Sequence, residues 1–306
     1  MGAEIGCSRA AIWKIVQSLQ NTGVEIYSVR GRGYRLARGI ELLSAADILA
    51  SMQPLLRSHV EQLHVHYEMR STNAYLLERS RQSDYSGHVC FAESQSEGRG
   101  RRGREWVSPF GGNIYMSLLW RFPTGAMQLG GLSLAIAVAV ARALRETGLT
   151  DIGVKWPNDI LVGKCKLAGI LLEVAGEASG SCDVVIGVGI NVRMPVTAGQ
   201  KINQAWTDVE TTLGKPVGRN RLAGVLLSHL ISVVREFEVD GLSPFLGEWQ
   251  RMDRYAGHEV LLQLPNETVQ GIARGVDASG ALILAKGGEL RRYHSGEVSL
   301  RPARAE

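Results

Sequence analysis

The feature that most restricts the fold is an uncharged apolar run from Leu129 to Ala141. A helix that crosses the hydrocarbon core of a bilayer, about 30 Å thick, needs about 20 apolar residues, and this run is shorter. A helix that is apolar on all sides and does not span a membrane is buried inside a globular protein. The sequence therefore predicts a buried helix over Leu132–Thr147.

Around this helix, from about Leu42 to Met252, apolar strands alternate with amphipathic helices. The further predicted helices are Ala45–Met52, Asn73–Gln82 and Arg221–Val239, and the predicted strands are His88–Glu93, Asn113–Leu119, Leu167–Val174 and Val184–Ile190. Because no strict βαβ repeat is present, the pattern predicts an α/β or α+β domain around a mixed sheet, and we assign the chain to the α+β class. After Arg254, short strands and Gly or Asp turns predict a small β-barrel. We place the domain boundaries at 1–40, 41–253 and 254–306.

The first forty residues form a basic unit. Ser8 is placed to cap a helix over Ser8–Asn21, whose apolar positions are Ile12, Ile15, Val16 and Leu19. A hairpin with a basic turn at 30–33 follows. A helix before a basic hairpin is typical of the second half of a winged helix-turn-helix, but a helix packed on any hairpin explains the pattern equally well. The candidate DNA-binding residues are Ser8, Arg9, Lys14, Arg30 and Arg32.

Net charge and cysteine content bear on the cellular compartment of the protein but do not identify its function. The formal net charge of +4 and pI of about 8.9 neither demand nor exclude nucleic acid. The four cysteines form no CxxC pair, which disfavours a zinc knuckle or a redox motif and fits a reducing compartment. The N-terminus has no secretory signal pattern. We therefore expect a cytoplasmic protein.

The densest local motif is the run Gly98-Arg99-Gly100-Arg101-Arg102-Gly103-Arg104. Glycines let the backbone turn steeply and approach a ligand closely. Clustered guanidinium groups repel one another unless an anion is present, and they pair well with phosphate or carboxylate oxygens. A solvated basic loop or a nonspecific RNA-binding patch explains the motif about as well.

Three further segments place polar groups or glycines beside predicted strands. The run from Lys155 to Asp159, with Pro157 inside it, indicates a stiff segment that carries a lysine, an amide and a carboxylate, although a turn between paired strands is the simpler reading. Lys166 begins an apolar strand and so lies at a sheet end. The alternate glycines Gly187 and Gly189 indicate a close approach by a ligand or by another packed element.

Together these motifs resemble the biotin–protein ligase family, most closely its bifunctional bacterial members, which also repress transcription of biotin synthesis genes. The resemblance runs from about Cys7 to Arg301. The segments that carry it are Ser71-Thr72-Asn73, Gln95, residues 98–103, Trp106, residues 155–159, residues 166–169 and residues 187–191. The family implies a central domain like that of class II aminoacyl-tRNA synthetases, followed by a C-terminal SH3-like barrel.

The resemblance also implies a reaction in which ATP activates biotin as an adenylate before biotin passes to a lysine of a biotin carboxyl carrier protein. The implied biotin-binding residues are Ser71, Thr72, Asn73, Gln95, Arg99, Gly100, Arg101, Lys166, Gly187 and Gly189. The implied nucleotide-binding residues are Trp106, Lys155, Asn158 and Asn191. Lys166, Arg99, Arg101 and Asp159 are the catalytic candidates. Asp159 is also the candidate ligand for Mg²⁺.

The N-terminus departs from the family pattern. Residues Met1 to Gly6 correspond to the middle of a second helix, so the first helix of a complete winged domain is missing. A helix of about 13 residues rarely holds without packing partners, so we expect weak binding to operator DNA or a true start upstream. A ligand-linked homodimer is typical of the repressing relatives. A lipoate–protein ligase and a DNA-binding regulator that only senses a small ligand are the rival functions.

Overall fold

The computed structural model describes residues 6–37, 39–80, 86–176, 180–294 and 299–302. They form a small N-terminal unit, a central mixed sheet with helices, and a C-terminal antiparallel sheet. Within these ranges no helix combines the length and apolar character that crossing a bilayer requires. Residues 1–5, on which the predicted loss of the first helix depends, lie outside the described part of the chain.

The N-terminal unit consists of helix α1 (Arg9–Asn21) and a hairpin of β1 (Ile26–Val29) and β2 (Gly33–Leu36). The Ser8 hydroxyl accepts a hydrogen bond from the Ala11 backbone N–H, as expected for a helix N-cap. Its small core contains Ile12, Val16, Val24 and Ile26. The other two apolar positions of the predicted helix, Ile15 and Leu19, are exposed.

The central part begins after a linker and contains the longest elements. Its helices are α2 (Ala45–Ala50), α3 (Thr72–Ser80), α4 (Leu132–Arg145), α5 (Val196–Gly199), α6 (Val209–Leu213), α7 (Arg219–Asp240) and α8 (Ser243–Met252). Its strands are β3 (Gln62–His66), β4 (His88–Ala92), β5 (Ile114–Phe122), β6 (Gly153–Lys155), β7 (Asp159–Val162), β8 (Cys165–Gly176) and β9 (Cys182–Ile190). Short 3₁₀ turns lie at Pro54–His59, Arg101–Gly103 and Ala126–Gln128.

The seven central strands pair in the order β3-β4-β5-β9-β8-β7-β6. Only β3 and β4 are parallel, so the predicted mixed sheet is confirmed. Neighbouring residues of β4 separate the two faces: Val89 and Phe91 join the main core with α4 and α7, whereas Cys90 packs below α3 with Leu76. The predicted buried helix is α4, which is buried along most of its length.

The C-terminal sheet contains β10 (Glu259–Gln263), β11 (Thr268–Val276), β12 (Leu282–Lys286), β13 (Glu289–Tyr293) and β14 (Ser299–Pro302). Its strands are antiparallel in the order β13-β12-β11-β10-β14. The predicted short strands are confirmed, while closure into a barrel stays a prediction. The indole N–H of Trp156 donates to the Gly280 carbonyl oxygen at 3.0 Å, which ties this sheet to the central domain.

Candidate functional site

A cavity of about 650 Å³ opens on the α3 face of the central sheet. Every candidate biotin-binding, nucleotide-binding and catalytic residue from the sequence lines it. The Gly-Arg loop (residues 98–104) therefore faces the same space as Lys166 and Asn191, although these segments are far apart in the chain. Sheet order explains the convergence, because β5, β9 and β8 lie side by side beneath α3.

One end of the cavity carries uncharged hydrogen-bonding groups. The backbone N–H of Thr72 donates to Gln95 Oε1 at 2.8 Å, and the Thr72 hydroxyl lies 3.2 Å from the same oxygen. Gln95 Nε2 in turn donates to Ser108 Oγ at 3.3 Å. These bonds fix the amide of Gln95 beside the N-terminus of α3, where Ser71 also lies. This end suits a neutral ligand that has both donors and acceptors.

Asn73 is held from three sides at this end. Its Nδ2 donates to Glu173 Oε2 at 2.9 Å and to the Leu171 carbonyl oxygen at 3.3 Å, while Oδ1 lies 2.5 Å from the Ser117 hydroxyl. A Cβ atom on Gly187 would lie 2.8 Å from Asn73 Cγ. The structure therefore supports the packing explanation for Gly187, and its role in binding biotin stays a prediction.

The Gly-Arg loop is a short folded hairpin. The N–H of Gly100 donates to the Arg104 carbonyl oxygen at 2.7 Å, and Trp106 N–H donates to the Gly98 carbonyl oxygen at 2.8 Å. A Cβ atom on Gly98 would lie 2.6 Å from Ser108 Oγ, so this position requires glycine. Arg102 adopts the left-handed conformation (φ 58°), which non-glycine residues rarely do.

The loop arginines differ in their surroundings. Arg99 Nη2 donates to Glu173 Oε1 at 2.8 Å, which ties the loop to β8. Burial lowers the pKa of Arg101; Asp159 opposes this effect, and the neighbouring loop arginines add to it. An incoming anion would offset the cost of burying this guanidinium group. Glu97, which precedes the loop, points outward and pairs with Arg70 at 2.8 Å, so it does not occupy the cavity.

Trp106 lies across the glycines of two adjacent strands. A Cβ atom would lie 2.6 Å from its ring at Gly189 and 3.0 Å from it at Gly169, positions that are paired between β9 and β8. Gly189 is therefore also explained by packing. The indole Nε1 of Trp106 is buried and has no hydrogen-bond partner among the described residues. A buried donor of this kind suits an acceptor atom on a ligand.

Two lysines share one carboxylate across the cavity. Lys166 Nζ lies 2.7 Å from Asp159 Oδ1, and Lys155 Nζ lies 4.0 Å from Asp159 Oδ2. The pairing of β7 with β8 shifts register near Lys166, and such bulges redirect side chains at functional sites. Asp159 therefore pairs with both lysines, and no group of three or more His, Cys, Asp or Glu side chains that could hold a metal ion occurs in the described residues.

Two of the candidate nucleotide-binding residues are asparagines, and each donates a hydrogen bond from its side-chain amide to a backbone carbonyl oxygen. Asn158 Nδ2 donates to the Ile170 carbonyl oxygen at 2.7 Å, and Asn191 Nδ2 donates to the Thr207 carbonyl oxygen at 3.1 Å. Both side chains are thus fixed in orientation. Residues 155–159 form the turn between β6 and β7 and also line the cavity, so the structural and the functional readings of this segment are compatible.

Several cavity residues were not predicted as site residues. Arg104, Trp156 and Gly169 lie within the recognised motifs, whereas Glu105, Val107, Tyr115, Met116, the segment 201–204 and Trp206 lie outside them. Backbone bonds from Lys166 N–H to the Ala205 carbonyl oxygen, and from Thr207 N–H to the Lys166 carbonyl oxygen, bring the 201–206 segment here. No local pattern signals this contact. Glu173 was visible in the sequence, but nothing distinguished it from a solvated strand residue.

The candidate DNA-binding residues lie outside this cavity. Arg9 and Lys14 are exposed on α1, and Arg30 and Arg32 are exposed at the hairpin turn. The Ser8 hydroxyl caps α1, so its contribution is local. The cluster of the N-terminal unit extends to Phe110, whose N–H donates to the Thr22 carbonyl oxygen at 3.0 Å. The two parts of the molecule therefore meet four residues after Trp106.

Comparison with known proteins agrees with this arrangement. The biotin/lipoate A/B protein ligase family matches residues 65–191, the biotin protein ligase C-terminal domain matches residues 255–301, and an HTH domain matches residues 1–35. The bifunctional ligase/repressor BirA of Escherichia coli is 41% identical over 99% of this chain and 92% of its own length. The biotin--[acetyl-CoA-carboxylase] ligase of Mycobacterium tuberculosis is 35% identical over 78% of this chain and 88% of its own.

A solved structure shares the fold. The biotin protein ligase from Aquifex aeolicus, in complex with biotin and ATP, superposes with a TM-score of 0.68 and 27% identity over 79% of this chain and all of that one. The chain belongs to the biotin protein ligase family. Within it, similarity along nearly the whole length, together with the N-terminal HTH match, places the chain among the bifunctional ligase/repressors.

Proposed function

We propose that this chain uses ATP to join biotin to a lysine of the biotin carboxyl carrier protein of acetyl-CoA carboxylase. A biotin carboxylate oxygen attacks the α-phosphorus of ATP, pyrophosphate leaves, and biotinyl-5′-AMP forms. The acceptor amine then attacks the acyl carbon, the bond from that carbon to the bridging oxygen breaks, AMP leaves with that oxygen, and the new amide nitrogen loses a proton. The observation that carries this proposal is a single cavity whose lining combines neutral hydrogen-bonding side chains with the cations of Arg99, Arg101 and Lys166.

The neutral end is assigned to the fused rings of biotin. A ureido group offers one carbonyl acceptor and two N–H donors, which match hydroxyl and amide groups held in fixed orientation. Ser71, Thr72 and Gln95 are the proposed direct partners, with Asn73 beside them. Gly187 and Gly189 make room for Asn73 and Trp106, and thereby shape the floor under the ligand.

The cationic part is assigned to the carboxylate and the phosphates. Arg99, Gly100 and Arg101 are proposed to fold over the reacting groups and exclude water, which would hydrolyse the mixed anhydride. Lys166 bonds the oxygens on which negative charge grows, because fixed cations in a dry site stabilise such charge strongly. Trp106, Lys155, Asn158 and Asn191 line the nucleotide side.

The side chains at this site fit Mg²⁺ only if the phosphates of the nucleotide supply most of its ligands. Asp159 is a single carboxylate with two lysines beside it, and Mg²⁺ typically takes one or two carboxylates together with substrate phosphates. We therefore propose that Asp159 orients the lysines and contributes at most one ligand to Mg²⁺. The ion would neutralise phosphate charge.

The finer architecture is also a proposal. We assign 41–253 to a catalytic domain like that of class II aminoacyl-tRNA synthetases, 254–306 to an SH3-like barrel, and 1–40 to a winged-helix unit. The exposed Arg9, Lys14, Arg30 and Arg32 support operator DNA as a second partner. A ligand-linked homodimer stays a proposal that rests on the family resemblance alone. All four cysteines are free thiols, which supports the cytoplasm as the compartment.

The direct experiment measures pyrophosphate release with ATP, Mg²⁺ and either biotin or lipoate, followed by the mass of a carrier domain. We expect release with biotin and a mass increase on one lysine. Lys166→Ala should lower the rate of adenylation by about 100-fold or more, because a fixed charge at the transition state is lost, while thermal unfolding changes little. Preference for lipoate, or full activity in Lys166→Ala, would contradict the proposal.

A further inference from the structure

The carboxylate of Glu173 joins two walls of the cavity that belong to different parts of the chain. Its Oε1 accepts from Arg99 Nη2 at 2.8 Å, and its Oε2 accepts from Asn73 Nδ2 at 2.9 Å. The Glu173 side chain is 22% exposed and the Arg99 side chain 43% exposed, so this ion pair is partly open to solvent. One strand residue thus contacts both the Gly-Arg loop and the start of α3.

The contact with Asn73 sets the orientation of an amide. The Leu171 carbonyl oxygen and the Glu173 carboxylate both accept from the amide nitrogen, so that nitrogen must face β8. Oδ1 then faces Ser117, which also lies 2.8 Å from the Thr72 hydroxyl oxygen. The Ser117 hydroxyl has a single hydrogen to donate. The orientation of the Asn73 amide therefore decides whether Ser117 donates to Asn73 or to Thr72.

The contact with Arg99 has a different consequence. In the proposed reaction Arg99 pairs with the carboxylate or phosphate of the ligand, yet here its partner is a protein carboxylate. The same arrangement holds for Lys166, which is paired with Asp159. A ligand anion that approaches Arg99 therefore competes with Glu173 for the guanidinium group.

We propose that Glu173 is a positioning residue of the adenylation site. It orients Asn73, and its carboxylate is a counter-ion of Arg99 that the ligand's anion displaces. This inference rests on the proposed biotin ligase function. It predicts opposite effects for two substitutions at one position. Removing only the charge should help the ligand, whereas removing the whole side chain should hinder it.

The experiment compares the kinetics of pyrophosphate release in Glu173→Gln and Glu173→Ala. Glutamine still accepts from Asn73 but no longer holds Arg99, so KM for biotin should fall about two- to fivefold, the range expected for a partly exposed ion pair, with kcat within about twofold. Alanine leaves Asn73 without this acceptor, so KM for biotin should rise several-fold. Arg99→Gln should abolish the gain when combined with Glu173→Gln.

The matched control is Glu97→Gln, which removes one carboxylate next to the same loop but outside the cavity, and it should leave KM for biotin unchanged. If both substitutions at Glu173 raise KM, the residue is only structural and the inference is wrong. If Glu97→Gln lowers KM as much as Glu173→Gln does, general electrostatics explain the gain. If the unaltered protein releases no pyrophosphate with biotin, the proposed function itself fails, and the inference fails with it.

Discussion

The cavity wall and the N-terminal unit differ in how their functional residues are held. In the cavity, Asn73, Trp106 and Lys166 each contact other protein groups from separate strands. In the N-terminal unit, Arg30 and Arg32 stand exposed on a hairpin that shares a core of four buried residues with α1. We therefore expect substitutions in the cavity to act mainly through packing, and substitutions of these exposed arginines to act through charge.

The sharpest test of this contrast changes one glycine in each region. At Gly189 an added Cβ would press into the Trp106 ring, and overpacking typically costs about 1–3 kcal/mol, so Gly189→Ala should raise KM for ATP about 10- to 100-fold. At Gly31 no atom lies within 4 Å of the added Cβ, so Gly31→Ala should introduce only local strain at φ 75° and leave adenylation unchanged. Equal kinetic effects at both positions would remove the contrast.

The same contrast explains how much could be predicted from the sequence. The residues that touch the proposed ligand were recognisable because glycines, arginines and lysines occur in a fixed order of motifs. Strands β3, β6 and β7 were not predicted, because each is only three to five residues long. Helix α8 was missed although its buried residues Phe245, Trp249 and Met252 recur at helical spacing. Sheet order and the β7–β8 register shift were also beyond prediction, since they depend on pairing between segments that are distant in sequence.

In the N-terminal unit, the local structure could be predicted from the sequence, but the packing of the side chains could not. The helix, its cap and the hairpin are confirmed. Ile15 and Leu19 have the spacing of core residues, yet they are exposed, because helical periodicity shows which residues share a face and not what covers that face. Phe110 is the opposite case: it joins this unit's core from the central domain, which no local pattern indicates.

Phe110 links the two regions, so its loss should separate them. Phe110→Ala removes a half-buried aromatic ring from a small core. It should therefore lower the free energy of local unfolding of α1 by about 2 kcal/mol, which raises the population of the unfolded helix about 30-fold. Hydrogen exchange of the α1 amides, compared with those of α4, measures this directly. Tyr27→Ala is the control, since Tyr27 is exposed in the same unit. Equal loss of protection in α4 would show that the regions unfold as one.

Charge in the N-terminal unit can be tested without disturbing the cavity. Replacing Arg30 and Arg32 together by alanine should weaken operator DNA binding by about tenfold and lower the slope of log K against log salt by up to about 2, because each phosphate contact contributes about 0.9. Pyrophosphate release should not change. Lys286→Ala, an exposed lysine of the C-terminal sheet, is the control for overall charge. An unchanged slope would exclude these arginines from DNA contact.

The smallest expected difference between the two regions is their change in stability in mild acid. Burial lowers the pKa of His66 from its usual 6.5, and the charges of His64 and Arg79 lower it further. His66 Nε2 is buried without a hydrogen-bond partner among the described residues, and its ring packs on Tyr75 of α3. The folded protein therefore takes up fewer protons than the unfolded chain below about pH 6.5, so the stability of the packing between β3 and α3 falls as the pH falls.

Residues 1–40 contain no histidine, so the N-terminal unit has no such titration in this range. Between about pH 7.5 and 5.5, hydrogen exchange should increase in α3 but not in α1, after correction for the intrinsic pH dependence of exchange. His88, whose pKa burial also lowers, adds to the loss in the same direction. His66→Gln should therefore reduce the pH dependence in α3 without removing it. If α1 loses as much protection as α3, the acid response belongs to the whole molecule rather than to the histidines of β3 and β4.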